Sequence, residues 1–230
     1  ADCHADLVAQ GIKLEMYDSA TSAADADDLR IALGYDQANY YGSSYGTLLG
    51  LLIMRDHPQG ARSVVLDSVV PPEANYYIEF GRNAYDTFRK LFDGCAADQE
   101  CSQQHPNLED KFLQVVDQIN ANPRTTTWQG SQEVMYDGGG FIDVIYLFPY
   151  IGQPEMAIEA ITGASRGDFS IADRWAPETM DLDSYQIRWG FYRNRECREE
   201  VPFCSYDDYY ALMDGLLPQI VDHYKPSLVT

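Results

Sequence analysis

Asn39 to Gly50 reads NYYGSSYGTLLG, and its centre, Gly42-Ser43-Ser44-Tyr45-Gly46, is a G-x-S-x-G pentapeptide. Composition alone produces such a pentapeptide in about one chain of this length in ten, so the flanking residues decide its meaning. The motif works only where a strand feeds a sharp, strained turn that feeds a helix, which lifts the serine hydroxyl clear of the sheet edge. Here ANYY precedes it and the apolar TLLGLLIM follows it. The glycines leave room for backbone that passes close to the turn. Ser44, at the centre, is the candidate nucleophile, and Ser43 falls outside the central position. The plainer alternative is a glycine-rich strand-to-helix turn whose serine merely caps the helix.

Working outward, YDSATSAADADDLRIALG has the look of a helix, with Asp18, Ser19 or Thr21 as its cap and Gly34 as its end. The helix after the pentapeptide stops at Pro58, and Ser63 to Val70 forms a β-branched strand closed by Pro71-Pro72. Helix, strand, turn, helix, strand is the rhythm of a parallel α/β sheet. The strand runs are continuous rather than alternating, as expected for strands covered on both faces. Beyond Pro72 the pattern changes to helical spacing. Tyr77, Phe80, Ala84, Phe88 and Leu91 mark one helix, and Leu108, Phe112, Val115, Val116 and Ile119 mark a second. Further helical stretches lie around Ile142–Tyr150, at Glu155–Ile161 and in YDDYYALMDGLLPQIVDHY, with a hairpin near Thr125–Tyr136. The expected organisation is a partial α/β core over residues 1–72 and a mostly α-helical domain over 73–230. A two-stranded sheet also has edges that call for cover, by self-association or by further segments.

Sixteen Lys and Arg stand against 36 Asp and Glu, a formal charge of −20. A field of that sign repels phosphate backbones, which argues against nucleic acid and anionic membrane as partners. It favours cationic ligands or simple solubility. No apolar run is long enough to span a bilayer. The chain opens at Ala1 with neither Met nor an apolar leader, as a processed or excised product would. Of five cysteines, Cys95 and Cys101 bracket a short polar loop at a spacing that can close a disulfide, and Cys197 with Cys204 offers a second pair. Cys3 is then left over, as though its partner lay outside the chain. Such bridges imply an oxidising, secreted or extracytoplasmic compartment. No C-x-x-C occurs and the four histidines are scattered, so no metal site is expected.

The stretch YYGSSYGTLLGLLIMRDHPQGARSVVLDSVVPP resembles the elbow region of the proline iminopeptidase and tripeptidyl aminopeptidase family of serine peptidases, an α/β-hydrolase family. YDSATSAADADDLRIALGYD resembles the helix before the family's elbow. CAADQEC with HPNLEDKF and NPRTT resembles the start of its helical cap, and ECREEVPF a cap motif of Cys, acid and Pro-Phe. The resemblance implies an α/β-hydrolase core with a helical cap. It implies Ser44 as nucleophile, the Tyr45 backbone N–H as an oxyanion-hole donor, and Glu199 or Glu200 as binder of a substrate's free amino group. A fixed carboxylate in a partly dry pocket suits an ammonium group. The substrate would be a peptide or small ester bearing a free amine, and no cofactor is needed.

A serine nucleophile requires a base and an orienting acid, which in this fold follow the serine in the order acid, then histidine. His57 ends the helix behind the turn and should point away, and His105 sits beside the cysteine loop as a surface residue. His223 lacks the family's glycine flanks. Asp67 falls at the end of the second strand, either as that acid or as a structural aspartate bonding its turn. The acid and base are therefore expected outside these residues, as is the family's second oxyanion donor. A carboxylesterase on the same fold, or an inert hydrolase fold serving as a binding or assembly module, are the rival functions.

Overall fold

The computed structural model describes residues 2–128, 132–180 and 188–225. The chain divides into two compact units, one holding residues 2–79 and 188–208, the other 80–180 and 209–225. A single boundary at Pro71-Pro72 would leave 188–208 with the helical region. The contacts group that segment with the residues around Ser44.

In the first unit, helix α1 (Asp2–Ala9) and a short 3-10 turn lead to α2 (Ser19–Ala32). Asp18 caps α2 by accepting the Thr21 N–H at 2.8 Å. Strand β1 (Ala38–Ser43), helix α3 (Tyr45–Asp56) and strand β2 (Ala61–Asp67) follow. β1 and β2 pair in parallel, with Tyr41 opposite Val65 and Ser43 opposite Asp67. β2 begins two residues earlier than expected and ends at Asp67, and the φ of 60° at the next residue, Ser68, turns the chain out of the sheet.

The strands are not buried on both faces. Their burial alternates, leaving Tyr41 67% and Val65 54% exposed. The reason is layer count: α2 and α3 cover one face, where Ala23, Leu48, Leu52 and Ile53 make a small core. Gly50 allows α3 to lie against β2, since a Cβ there would come 2.9 Å from Leu66 Cδ2. Helix α10 (Trp189–Glu199) and a 3-10 turn at Val201–Phe203 complete the unit.

The second unit takes most of α4 (Tyr76–Ala97), then α5 (Gln99–Gln104) and α6 (Leu108–Ala121). The hairpin β3 (Arg124–Trp128) and β4 (Gln132–Tyr136) precedes α7 (Gly138–Tyr150), α8 (Pro154–Ala164) and α9 (Ser170–Met180). The expected terminal helix is two helices, α11 (Tyr206–Met213) and α12 (Pro218–His223), because Gly215 at φ 75° and Pro218 interrupt it. Phe88, Phe112, Phe141, Phe148, Ile145 and Ile161 are buried in one continuous core.

Cys95 and Cys101 are bonded, with Cα atoms 5.1 Å apart. Cys197 and Cys204 are not, which corrects the expectation of a second bridge. Cys197 stands exposed on α10, whereas Cys204 lies beyond the 3-10 turn with its thiol directed to the Val201 carbonyl. The side chain of Cys3 lies outside the described residues. Among the described residues no helix is long and apolar enough to cross a membrane.

Candidate active site

The strand-turn-helix expected around the pentapeptide is present. Ser44 sits between β1 and α3 at φ 52°, ψ −123°, a conformation that costs a non-glycine residue of order 1–3 kcal/mol. Three bonds hold it there. The Ser44 N–H donates to the Asp67 carbonyl at 3.0 Å. The Ser44 carbonyl accepts the Thr47 N–H at 2.9 Å and the Thr47 hydroxyl at 2.6 Å. Thr47, fully buried, in turn accepts the Val70 N–H at 2.8 Å, which ties the segment after β2 to the turn.

Gly42 is required by close approach, because a Cβ there would lie 2.1 Å from the Gly46 carbonyl oxygen. Gly46 is not crowded; nothing lies within 4 Å of the corresponding position. Of the two glycines, only the first is explained by backbone passing near.

The Ser44 side chain is exposed and makes no capping bond to α3, so it does not serve as a mere helix cap. Its hydroxyl has no hydrogen-bond partner among the described residues, and neither has the Tyr45 backbone N–H. A free hydroxyl beside a free amide at a positive helix end is what attack on a carbonyl and steadying of an oxyanion require.

Tyr45 points its side chain back into the unit. Its hydroxyl lies 2.9 Å from Ser19 Oγ, its ring packs edge-on to Phe191 at 6.4 Å, and Arg195 lies 5.0 Å above its face. Burial pushes the Tyr45 pKa up, and the nearby Glu199 adds to this against the charge of Arg195.

Glu199 and Glu200 meet at the end of α10. Glu199 accepts the Ser19 N–H at 2.6 Å and the Ser19 hydroxyl at 2.5 Å. Glu200 is buried, 3.3 Å from Arg195 and 3.4 Å from the Tyr76 N–H. Both line a cavity of about 330 Å³ with Asp18, Leu48, Leu52 and Pro72, and an adjoining one of about 380 Å³ with Glu73, Asn75 and Glu79. Burial raises the Asp18 carboxyl, but its bonds to Thr21 and the charge of Arg198 outweigh this and leave it below the ordinary range.

Sequence reasoning passed over Arg195 and Glu196. Glu196 is 1% exposed, with the Arg195 guanidinium against its carboxylate. One guanidinium therefore faces the carboxylates of Glu196, Glu199 and Glu200, and the cluster keeps an excess of negative charge. The run of charge in ECREE is visible in the sequence, but its burial is not.

None of the four histidines is bonded to Ser44 among the described residues. His57 faces Asp27 at 3.6 Å, behind α3 as expected. His105 is half-buried rather than a free surface residue, its Nδ1 2.9 Å from the Thr162 hydroxyl. His223 pairs with Asp143 at 2.8 Å in the second unit. The Asp67 carboxylate accepts the Tyr41 hydroxyl at 2.7 Å across the strands, and this bond raises the Tyr41 pKa. No group that would hold a metal occurs among the described residues.

Strand, strained serine, helix and parallel return strand are the nucleophile elbow of one fold class. The chain belongs to the α/β-hydrolase fold family, whose pattern it matches over residues 9–135. It is 40% identical over 76 residues to serine protease Hip1 of Mycobacterium tuberculosis, covering 33% of this chain and 14% of that protein. It is 47% identical over 51 residues to tripeptidyl aminopeptidase of Streptomyces lividans, covering 22% of this chain and 10% of that protein. The chain thus aligns with well under a quarter of the length of either relative.

Proposed function

We propose that this chain carries the nucleophile of a serine hydrolase of aminopeptidase type, which releases N-terminal residues or short peptides by acyl transfer. Ser44 attacks the scissile carbonyl as the base takes its proton, the Tyr45 N–H steadies the oxyanion, the amine of the remaining peptide leaves with that proton, and water then frees the acyl group from Ser44. The base and orienting acid come from sequence outside these residues. The observation that carries this is the strained, exposed Ser44 with its hydroxyl unengaged beside an unengaged Tyr45 amide.

The excess negative charge of Glu196, Glu199 and Glu200 over Arg195 supports an ammonium as the recognised group. A peptide with a free N-terminus brings that group, so Glu199 or Glu200 is assigned to the substrate's amino end. The disulfide, with a serine protease among the relatives, supports a secreted or extracytoplasmic setting. The helical second unit is assigned the role of cap.

Turnover of aminoacyl-arylamides against p-nitrophenyl esters tests the assignment in the protein that contains this chain. Expected are arylamide cleavage, its loss on N-acetylation of the substrate, and its abolition in Ser44→Ala. Ester turnover with indifference to the free amine would make it a carboxylesterase. No turnover of either by a folded protein would leave a binding module.

A further inference from the structure

Glu199 is the shared member of two different tasks, and its bonds separate them. Each of its oxygens already holds a donor from Ser19, at 2.6 and 2.5 Å. A carboxylate only accepts, so the single hydroxyl proton of Ser19 is committed to Glu199. The contact between Ser19 Oγ and the Tyr45 hydroxyl at 2.9 Å then has one direction, with Tyr45 donating. The result is an ordered chain from the Tyr45 hydroxyl to the Ser19 hydroxyl to the Glu199 carboxylate.

We infer that Glu199, Ser19 and Tyr45 form one hydrogen-bonded relay that positions the elbow, so that Ser19 and Glu199 are positioning residues for Ser44 and Glu200 is left to meet substrate. The inference rests on Ser44 being the nucleophile. Tyr45 is the residue whose N–H lies beside the Ser44 hydroxyl, and fixing its side chain fixes the first turn of α3. Ser19, the middle member, is only 3% exposed, so the relay is shielded from water at its centre. Charge-assisted bonds in such surroundings are short and reinforce one another. Phe191 and Arg195 hold the Tyr45 ring from α10, the helix that also carries Glu199. Burial raises the Tyr45 pKa, which keeps its hydroxyl a donor at ordinary pH. Glu200 makes only the longer contacts, 3.3 Å to Arg195 and 3.4 Å to Tyr76, and so retains more capacity for a ligand.

The test compares Tyr45→Phe, Ser19→Ala, Ser19→Thr and Glu199→Gln with the parent, each checked for cooperative melting. Amide hydrogen exchange over residues 44–52 is read with 108–121 as an internal reference, together with fluorophosphonate labelling of Ser44 and, where turnover is measurable, kcat and KM. Expected is a rise of about tenfold in exchange over 44–52 for Tyr45→Phe and Ser19→Ala, with 108–121 unchanged. Labelling and kcat fall by about tenfold with KM unchanged, and Ser19→Thr, which keeps the hydroxyl, restores them. Tyr45→Phe deletes one oxygen only, so it decides the matter even where Glu199→Gln does not fold. Unchanged exchange over 44–52 in folded Tyr45→Phe overturns the relay, and so does a Glu199→Gln protein that raises KM alone. A folded parent that never labels removes the nucleophile assignment itself, and the exchange data then judge the relay separately.

Discussion

The two units bury their apolar residues in different ways. The helical unit encloses a continuous core in which Phe112, Phe141, Phe148, Ile145 and Ile161 are fully buried. The elbow unit has a core of Ala23, Leu48, Leu52 and Ile53, and leaves Tyr41, Val65, Leu29, Ile31 and Leu33 more than half exposed. What the elbow unit lacks in apolar burial it replaces with hydrogen bonds of directed geometry. Ser44 is held by Asp67 and Thr47, Tyr45 by Ser19, and Ser19 by Glu199. Packing holds one unit together, whereas bonding sets one residue of the other in a strained state. Strain at Ser44 persists only where its surroundings over-determine it, and this region does so with polar contacts.

The contrast breaks first at the helical core. Phe112→Ala should cost about 3–5 kcal/mol, read as faster amide exchange over residues 141–148. A cost below about 1 kcal/mol would mean that this core is not close-packed. Next comes the turn itself. Gly42→Ala sets a methyl against the Gly46 carbonyl, where an added Cβ would lie 2.1 Å from the oxygen, so backbone has to move. Labelling of Ser44 should fall by about a hundredfold or more, while exchange over 141–148 stays as in the parent. In the small core, Leu52→Ala should cost about 2 kcal/mol, the low end for such truncations, because few neighbours surround the cavity. A loss equal to that of Phe112→Ala would erase the difference between the units.

The smallest effect concerns alkaline pH. Burial pushes the Tyr209 hydroxyl up to about 12, and it donates to the Val221 carbonyl at 2.6 Å. The folded state prefers the neutral phenol, so this contribution is complete below the unfolded value near 10 and is lost as pH rises towards 12. Unfolding midpoints should therefore decline between pH 10 and 12, and less steeply in Tyr209→Phe. An equal slope in both would remove Tyr209 as the cause.

The elbow was legible because it is local. A G-x-S-x-G flanked by an aromatic strand and an apolar helix specifies its own geometry within about a dozen residues. Phe112, Val115, Val116 and Ile119 were legible for the same reason, since helical spacing marks a buried face. The bonds of Ser19 to Glu199 span 180 positions, and no local pattern announces a partner that distant. The expected bridge of Cys197 to Cys204 failed because sequence spacing does not state which way two thiols face. Continuous apolar strands suggested burial on both faces, but the covering layers lie on one. Glu196 looked like one more surface acid in an acidic chain until the fold enclosed it.

The central claim is that Ser44 is an activated nucleophile at an elbow built by hydrogen bonds. Fluorophosphonate labelling of the protein containing this chain, with the adduct mapped by mass spectrometry and Ser44→Ala as control, tests it most directly. The account predicts rapid, single-site labelling at Ser44 that disappears in the mutant. A folded protein that stays unlabelled, or that labels equally in Ser44→Ala, would contradict it.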